Sequence, residues 1–189
     1  MKIGLFFGSF NPVHMGHLII AQTIVSSSDL DKVWFVVSPQ SPFKKKSNLV
    51  HEFDRYDMIK EAIDQNDDLD VTDVEFNLPK PSYTIDTLTH LSELYKSYEF
   101  SVIMGEDNLS TLHKWKNYEA IVKYYPIYVY PRPKVFLDKE IAVAHTKINA
   151  PLLDISASYI RKRLKSNLSI KYLVPSSVEK HIDSKGLFR

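Results

Sequence analysis

The chain of 189 residues contains no cysteine, which excludes disulfides, thiolate metal sites and a cysteine nucleophile. It has no apolar run near the ~20 residues that cross a bilayer. Its first apolar stretch breaks at Gly8, too soon for a signal peptide. It has no surplus of either charge: 24 Lys and Arg against 23 Asp and Glu leave a formal net charge of +1. No bulk attraction therefore draws nucleic acid or an anionic membrane, and any anion site must be local. There is no internal repeat, low-complexity tract or linker, and neither Walker A, Gly-x-Gly-x-x-Gly nor His-Glu-x-x-His occurs. These absences predict a cytoplasmic globular protein in one domain, residues 1–189, large enough for a single sizeable core.

What is present alternates. Ile3–Phe7, 33–37, 100–104 and 127–130 read as buried strands, and 71–76 alternates as a strand does. Apolar residues at helical spacing mark 18–25, 53–63, 84–95 and 118–125. Leu152–Ile155 reads as a last strand or extended piece leading into a helix through Leu164, and 135–150 yields no pattern. Near the C-terminus Ser176-x-x-Glu179 has the form of a capping box, with Gly186 after the helix. The expected fold is α/β: a Rossmann-like, doubly wound, mainly parallel sheet flanked by helices, with a small helical C-terminal part.

The chain is organised around Gly8-Ser9-Phe10-Asn11-Pro12-Val13-His14-Met15-Gly16-His17. A strand, a glycine turn and a helix start make a phosphate site, because first-turn amides lack helical partners and the helix end favours an anion. Gly8 would let the chain turn and a ligand approach, and Gly16 would keep the helix from crowding it. His14 and His17, three apart, would share one face. The plainer reading of His-x-x-His is a capping and a half-buried histidine; the strand-to-helix setting favours chemistry on a phosphate. A zinc site lacks a third ligand.

Four other stretches carry chemistry. Ser156-Ala157-Ser158-Tyr159-Ile160-Arg161 places hydroxyls and an arginine at a helix start, a second anion site. Met104-Gly105-Glu106-Asp107 ends a strand, with Asp107 able to accept from ribose hydroxyls. Pro81-Ser82-Tyr83-Thr84-Ile85-Asp86-Thr87-Leu88 reads as a loop with Thr84 capping a helix. Pro42-Phe43-Lys44-Lys45-Lys46 is a lysine-bearing loop.

In this order the five stretches resemble the motifs of bacterial nicotinate-mononucleotide adenylyltransferases, within the nucleotidyltransferase superfamily. The His14-Met15-Gly16-His17 core alone is shared with class I aminoacyl-tRNA synthetases. The resemblance implies transfer of AMP from ATP to nicotinate mononucleotide, giving deamido-NAD and pyrophosphate in NAD biosynthesis. It implies His14 and His17 as catalytic residues, and Gly8, Ser9, Phe10, Gly16, Gly105, Asp107, Ser158 and Arg161 as the ATP site. Lys44, Tyr83, Thr84 and Trp115 would hold the mononucleotide, the loop amides at Tyr83 and Thr84 taking the nicotinate carboxylate and Trp115 stacking on the ring. Phe43 stands where the family has His, and Lys80 is the nearest cation to an arginine the family carries before its Pro-Ser turn. No carboxylate cage is visible, so Mg²⁺ would ride on the triphosphate. The implied partners are ATP and nicotinate mononucleotide, with neither nucleic acid nor membrane. Two alternatives stay open: an enzyme preferring nicotinamide mononucleotide, and a nucleotide-binding regulator without turnover.

Overall fold

Side-chain alternation along the strands decides the architecture. On β1 (Lys2–Gly8), Ile3 and Leu5 point to one side and Phe6 to the other. On β4 (Glu99–Gly105), Val102 and Met104 share the side of Ile3, and Ile103 that of Phe6. On β5 (Ile127–Tyr130), Ile127 and Val129 oppose Tyr128 and Tyr130. Both faces of these strands are apolar, so both must be covered, which is the condition of a parallel sheet with helices on either side.

The computed structural model describes residues 1–40, 49–133 and 143–189. β2 (Lys32–Val37), β3 (Leu69–Thr72) and β6 (Thr146–Lys147) complete a sheet of order β3-β2-β1-β4-β5-β6 with every pairing parallel. On the Phe6 face pack α1 (Met15–Ser27), α2 (Glu52–Ala62), α6 (Ala157–Lys165) and α7 (Ser176–Lys185), through Ile24, Met58, Ile160 and Ile182. On the Ile3 face pack α3 (Thr84–Leu94), α4 (Glu106–Thr111) and α5 (Tyr118–Tyr124), through Leu88, Leu109 and Ile121. Each such side chain taken out of water stabilises the fold by about 1.5–3 kcal/mol before the entropy of ordering is counted. The expected Rossmann-like doubly wound sheet is what the chain forms.

β1 is flanked by β2 on one side and β4 on the other, so the strand order reverses between β1 and β4. Ligands of such sheets lie in the crevice beyond the carboxyl ends of those strands. Gly8 and Gly105 end the two strands.

Three expectations are corrected. The strand expected at 71–76 stops at Thr72: its Oγ1 accepts from Val74 N at 3.2 Å, and Phe76 N donates to Asp73 O at 2.8 Å, closing a 3₁₀ turn over Val74–Phe76. Of the two readings of Leu152–Ile155, a last strand or an extended piece, the strand is not formed; the last strand of the sheet among the described residues is the short edge strand β6, inside the stretch without pattern. The capping box at Ser176 does not form, because Pro175 is the cap and Ser176 the first helical residue. Gly186 does close α7 in the left-handed conformation, φ 60°.

Candidate active site

Between β1 and α1 the chain must reverse within six residues, and the left-handed position is taken by Phe10, φ 43°, not by Gly8. Gly8 serves another end: a Cβ there would come within 2.8 Å of the Phe10 ring. That ring is buried against Phe6, Phe35 and His17. The turn is held from below by Arg55 of α2, a fully buried guanidinium. It donates to the carbonyls of Ser9 at 2.6 Å, Ser38 at 2.8 Å and Val50 at 3.0 Å.

His14 caps α1 and His17 lies one turn in. The two rings stack with centroids 3.6 Å apart and planes 23° from parallel. His17 Nδ1 accepts from His14 N at 3.3 Å, which leaves its proton on Nε2 while that bond holds. His14 is buried, and that burial, with Arg132 nearby, pushes its pKa down to about 4. It is therefore a neutral imidazole at pH 7, a hydrogen-bonding group and not a cation. Gly16 leaves room for this ring: a Cβ there would meet His14 Nδ1 at 3.1 Å. Two first-turn amides are already engaged, Met15 N with Leu173 O and His17 N with His14 O, each at 2.9 Å. The imidazoles, more than a ring of amides, line this helix start.

The histidines belong to a cavity of about 550 Å³, also lined by Gly8, Ser9, Phe10, Asp107, Ser158 and Arg161. Ser156 caps α6 by accepting from Tyr159 N at 3.2 Å. Arg161, one turn in, donates to Ser158 Oγ at 3.1 Å and to Asn11 O at 2.7 Å. It thus ties α6 to the β1–α1 turn while facing the cavity. Gly105 is not a wall of this cavity; the space its missing Cβ leaves is filled by Asp107 and Arg132.

A second cavity of about 210 Å³ shares Phe7, Gly8, Ser9 and Asn108 with the first. Its wall includes Tyr83, Thr84 and Trp115. The cap of α3 is Tyr83, and Thr84 is the first helical residue, so the expected Thr84 cap is corrected. Lys116 sits 4.8 Å over the Tyr83 ring and binds Asp86 at 2.8 Å. Lys80 pairs with Glu52 at 3.0 Å and lines neither cavity. Lys44 lies outside the described residues. Gly8, Ser9, Phe10, Asp107, Ser158 and Arg161, expected to hold ATP, line the larger cavity, and Tyr83, Thr84 and Trp115, expected to hold the mononucleotide, line the smaller one; the two adjoin at the end of β1, and Gly16 and Gly105 line neither.

Three side chains of this region escape the sequence reading. Arg132, between Pro131 and Pro133 just past β5, lines the histidine cavity; it donates to Tyr130 Oη at 3.0 Å and lies 3.5 Å from Asp107. Its place beyond a strand's carboxyl end is the signal that would have found it. Arg55 and Glu75 are buried ionisable groups, and neither stands in a recognisable motif.

Comparison with known proteins fits this geometry. A cytidylyltransferase-like family model matches residues 5–163. A Cytophaga hutchinsonii protein named "Probable nicotinate-nucleotide adenylyltransferase" is 54% identical across all of this chain and 98% of its own. One of the same name from Flavobacterium psychrophilum is 47% identical, covering both chains fully. A solved Plasmodium falciparum nicotinic acid mononucleotide adenylyltransferase, complexed with NaAD, superposes with a TM-score of 0.84 over 99% of this chain and 97% of that one. At 22% identity, that likeness is one of fold. A parallel sheet whose reversal point carries stacked histidines, matched along its whole length by such relatives, places the chain in the cytidylyltransferase-like family and, within it, among the nicotinate-nucleotide adenylyltransferases.

Proposed function

We propose that the chain, acting as one unit, joins the AMP moiety of ATP to nicotinate mononucleotide, giving deamido-NAD and pyrophosphate. The observation that carries this reading is the pair of cavities meeting at Gly8 and Ser9, one lined by His14, His17, Ser158 and Arg161, the other by Tyr83, Thr84 and Trp115. A triphosphate in the first and a pyridine mononucleotide in the second would bring the mononucleotide's 5′-phosphate to the α-phosphorus at the shared edge.

The acceptor's phosphate is itself the nucleophile, so no covalent nucleophile or strong base is needed. What the reaction requires is alignment, and donors for charge growing on the attacked phosphate and on the departing pyrophosphate. His17, with its proton on Nε2, and neutral His14 supply N–H donors; Arg161 and Ser158 take the β- and γ-phosphates. Arg132 adds a cation on the same wall. The Thr84 end of α3 offers amides to the nicotinate carboxylate, and Trp115 offers a flat face to the pyridinium. Among the described residues no group of three or more His, Asp or Glu side chains is arranged to hold a metal ion. We therefore assign Mg²⁺ to the triphosphate, as part of the substrate.

Pyrophosphate release tests the reading. Mixed with ATP and either nicotinate or nicotinamide mononucleotide, the protein should release pyrophosphate chiefly with the acid. Faster release with the amide would transfer the assignment to a nicotinamide-mononucleotide enzyme, and ATP binding without release would make the chain a regulator.

A further inference from the structure

A third cavity, of about 480 Å³, lies beyond the one that holds the histidines. Leu49, Ser158 and Arg161 stand on the walls of both, so the two adjoin at Arg161. Lys162 and Lys165 of α6 line the new one further along. No aspartate or glutamate among the described residues is on its wall. Arg189 lines it too, but its guanidinium is taken by Asp183 at 2.6 Å. The side chains of Lys162 and Lys165 are exposed and have no hydrogen-bond or ion-pair partner among the described residues.

These cations form a row. Arg161 and Lys165 are four residues apart and Lys162 and Lys165 three, so they share one side of α6. At about 1.5 Å per residue, the row carries positive charge roughly 6 Å past Arg161, away from the helix end that lines the histidine cavity. Like charges so spaced repel one another, and an anion between them reverses that cost. Arg163, the other cation of the helix, is engaged elsewhere: it donates to Ser169 O at 2.7 Å and to Tyr159 Oη at 3.2 Å. Cations in a last turn suit the negative end of any helix. That preference does not call for a cavity without acids running on from the triphosphate site.

We propose that this cavity is a further phosphate subsite, taking the phosphate beyond the γ-phosphate of an adenosine polyphosphate, so that adenosine 5′-tetraphosphate also serves as an adenylyl donor. The inference rests on the reading that Arg161 and Ser158 take the β- and γ-phosphates of ATP in the histidine cavity. A fourth phosphate then extends past Arg161 to Lys162 and Lys165, whose ammonium groups donate to it. The chemistry at the α-phosphorus is the same as with ATP. The mononucleotide's 5′-phosphate oxygen bonds to that phosphorus, and the bond from it to the bridging oxygen breaks. Tripolyphosphate leaves with the electron pair of that oxygen, and no other reactant is consumed.

The experiment measures dinucleotide formation from nicotinate mononucleotide with ATP or adenosine 5′-tetraphosphate, at saturating Mg²⁺, in the unaltered full chain and in two double variants. Lys162→Gln with Lys165→Gln removes the two cations of the cavity. Lys96→Gln with Lys123→Gln removes two exposed cations elsewhere, so the net charge changes equally. The unaltered chain should use both donors. The ratio of the tetraphosphate KM to the ATP KM should rise about tenfold in the first variant, the loss of hydrogen bonds to a charged group, and stay unchanged in the second. Tripolyphosphate should compete with ATP more tightly than pyrophosphate does, and lose that advantage in the first variant alone. Turnover with ATP but none with the tetraphosphate overturns the subsite and leaves the ATP reading standing. A ratio that is unmoved in the first variant, or moved equally in both, overturns it as well. No dinucleotide from ATP itself overturns the reading beneath the proposal and the proposal with it.

Discussion

The guanidinium of Arg55 and the carbonyl of Ser9 meet at 2.6 Å, across 46 residues of sequence, at the turn that opens the catalytic crevice. The partners of that guanidinium are the carbonyls of Ser9, Ser38 and Val50, from three separate segments. Burial brings its pKa down to about 10, so it stays charged in the working range. Removing it would leave buried acceptors without a donor at about 1–3 kcal/mol each. Arg55→Met should therefore lose about 3–5 kcal/mol of stability, read by urea unfolding. Its surviving folded fraction should turn over more slowly, because the Ser9 turn is no longer fixed. A variant within experimental error of the parent in both respects would show that the turn holds itself.

His14 ties stability to acid. Unfolded, its imidazole takes a proton near its ordinary 6.5; folded, it resists until about 4. Between those values the unfolded chain binds more protons, so the stability is whole above about pH 6.5 and is lost as pH falls toward 4. From pH 6.5 down to 5 the expected loss is about 2 kcal/mol from this one group. Denaturant titrations of the parent and His14→Gln at the two pH values check it, and the variant should lack that share of the acid loss. Equal slopes in both would mean that the folded imidazole titrates normally.

Turnover should depend on His17 far more than the fold does. The ring rests edge-on against Phe6 and Phe10 and is half-exposed, so its loss leaves the core in place. His17→Ala should keep its circular dichroism and lose about a hundredfold or more in kcat, the effect of deleting one transition-state donor. Stopped-flow or coupled pyrophosphate assays measure it. A kcat within a few-fold of the parent would remove this imidazole from the chemistry.

The parts of the site that were legible are those whose chemistry is local in sequence. Gly8 through His17 make strand, turn and helix start within a single run, and Ser156 through Arg161 do the same at α6. The alternation of Ile3, Leu5 and Phe6 likewise carries both faces of the sheet. Arg55 and Glu75 were not legible because each is defined by what it meets across the fold, and Arg132, whose signal was its place just past β5, shows its partner only there. Arg55 finds Ser9, Glu75 finds Thr87 twelve residues on, and Arg132 finds Asp107. β6 pairs only Thr146 and Lys147 at an exposed edge, so no apolar run announces it. The 3₁₀ turn at Val74–Phe76 mimics strand alternation until the Thr72 hydroxyl diverts the backbone. Capping rules favour the hydroxyls of Thr84 and Ser176, each one residue past the true cap: Tyr83 and Pro175 are the caps, and neither uses a side chain.

The proposed function is a direct transfer, in which the stacked imidazoles would steady a phosphorus that the mononucleotide itself attacks. ATP made chiral at its α-phosphorus with sulfur would reveal the number of displacements. One in-line attack inverts the configuration of the dinucleotide product, and inversion is the expected result. Retention would require an adenylylated enzyme between two displacements, and would contradict the roles of His14 and His17 as donors to a single transition state.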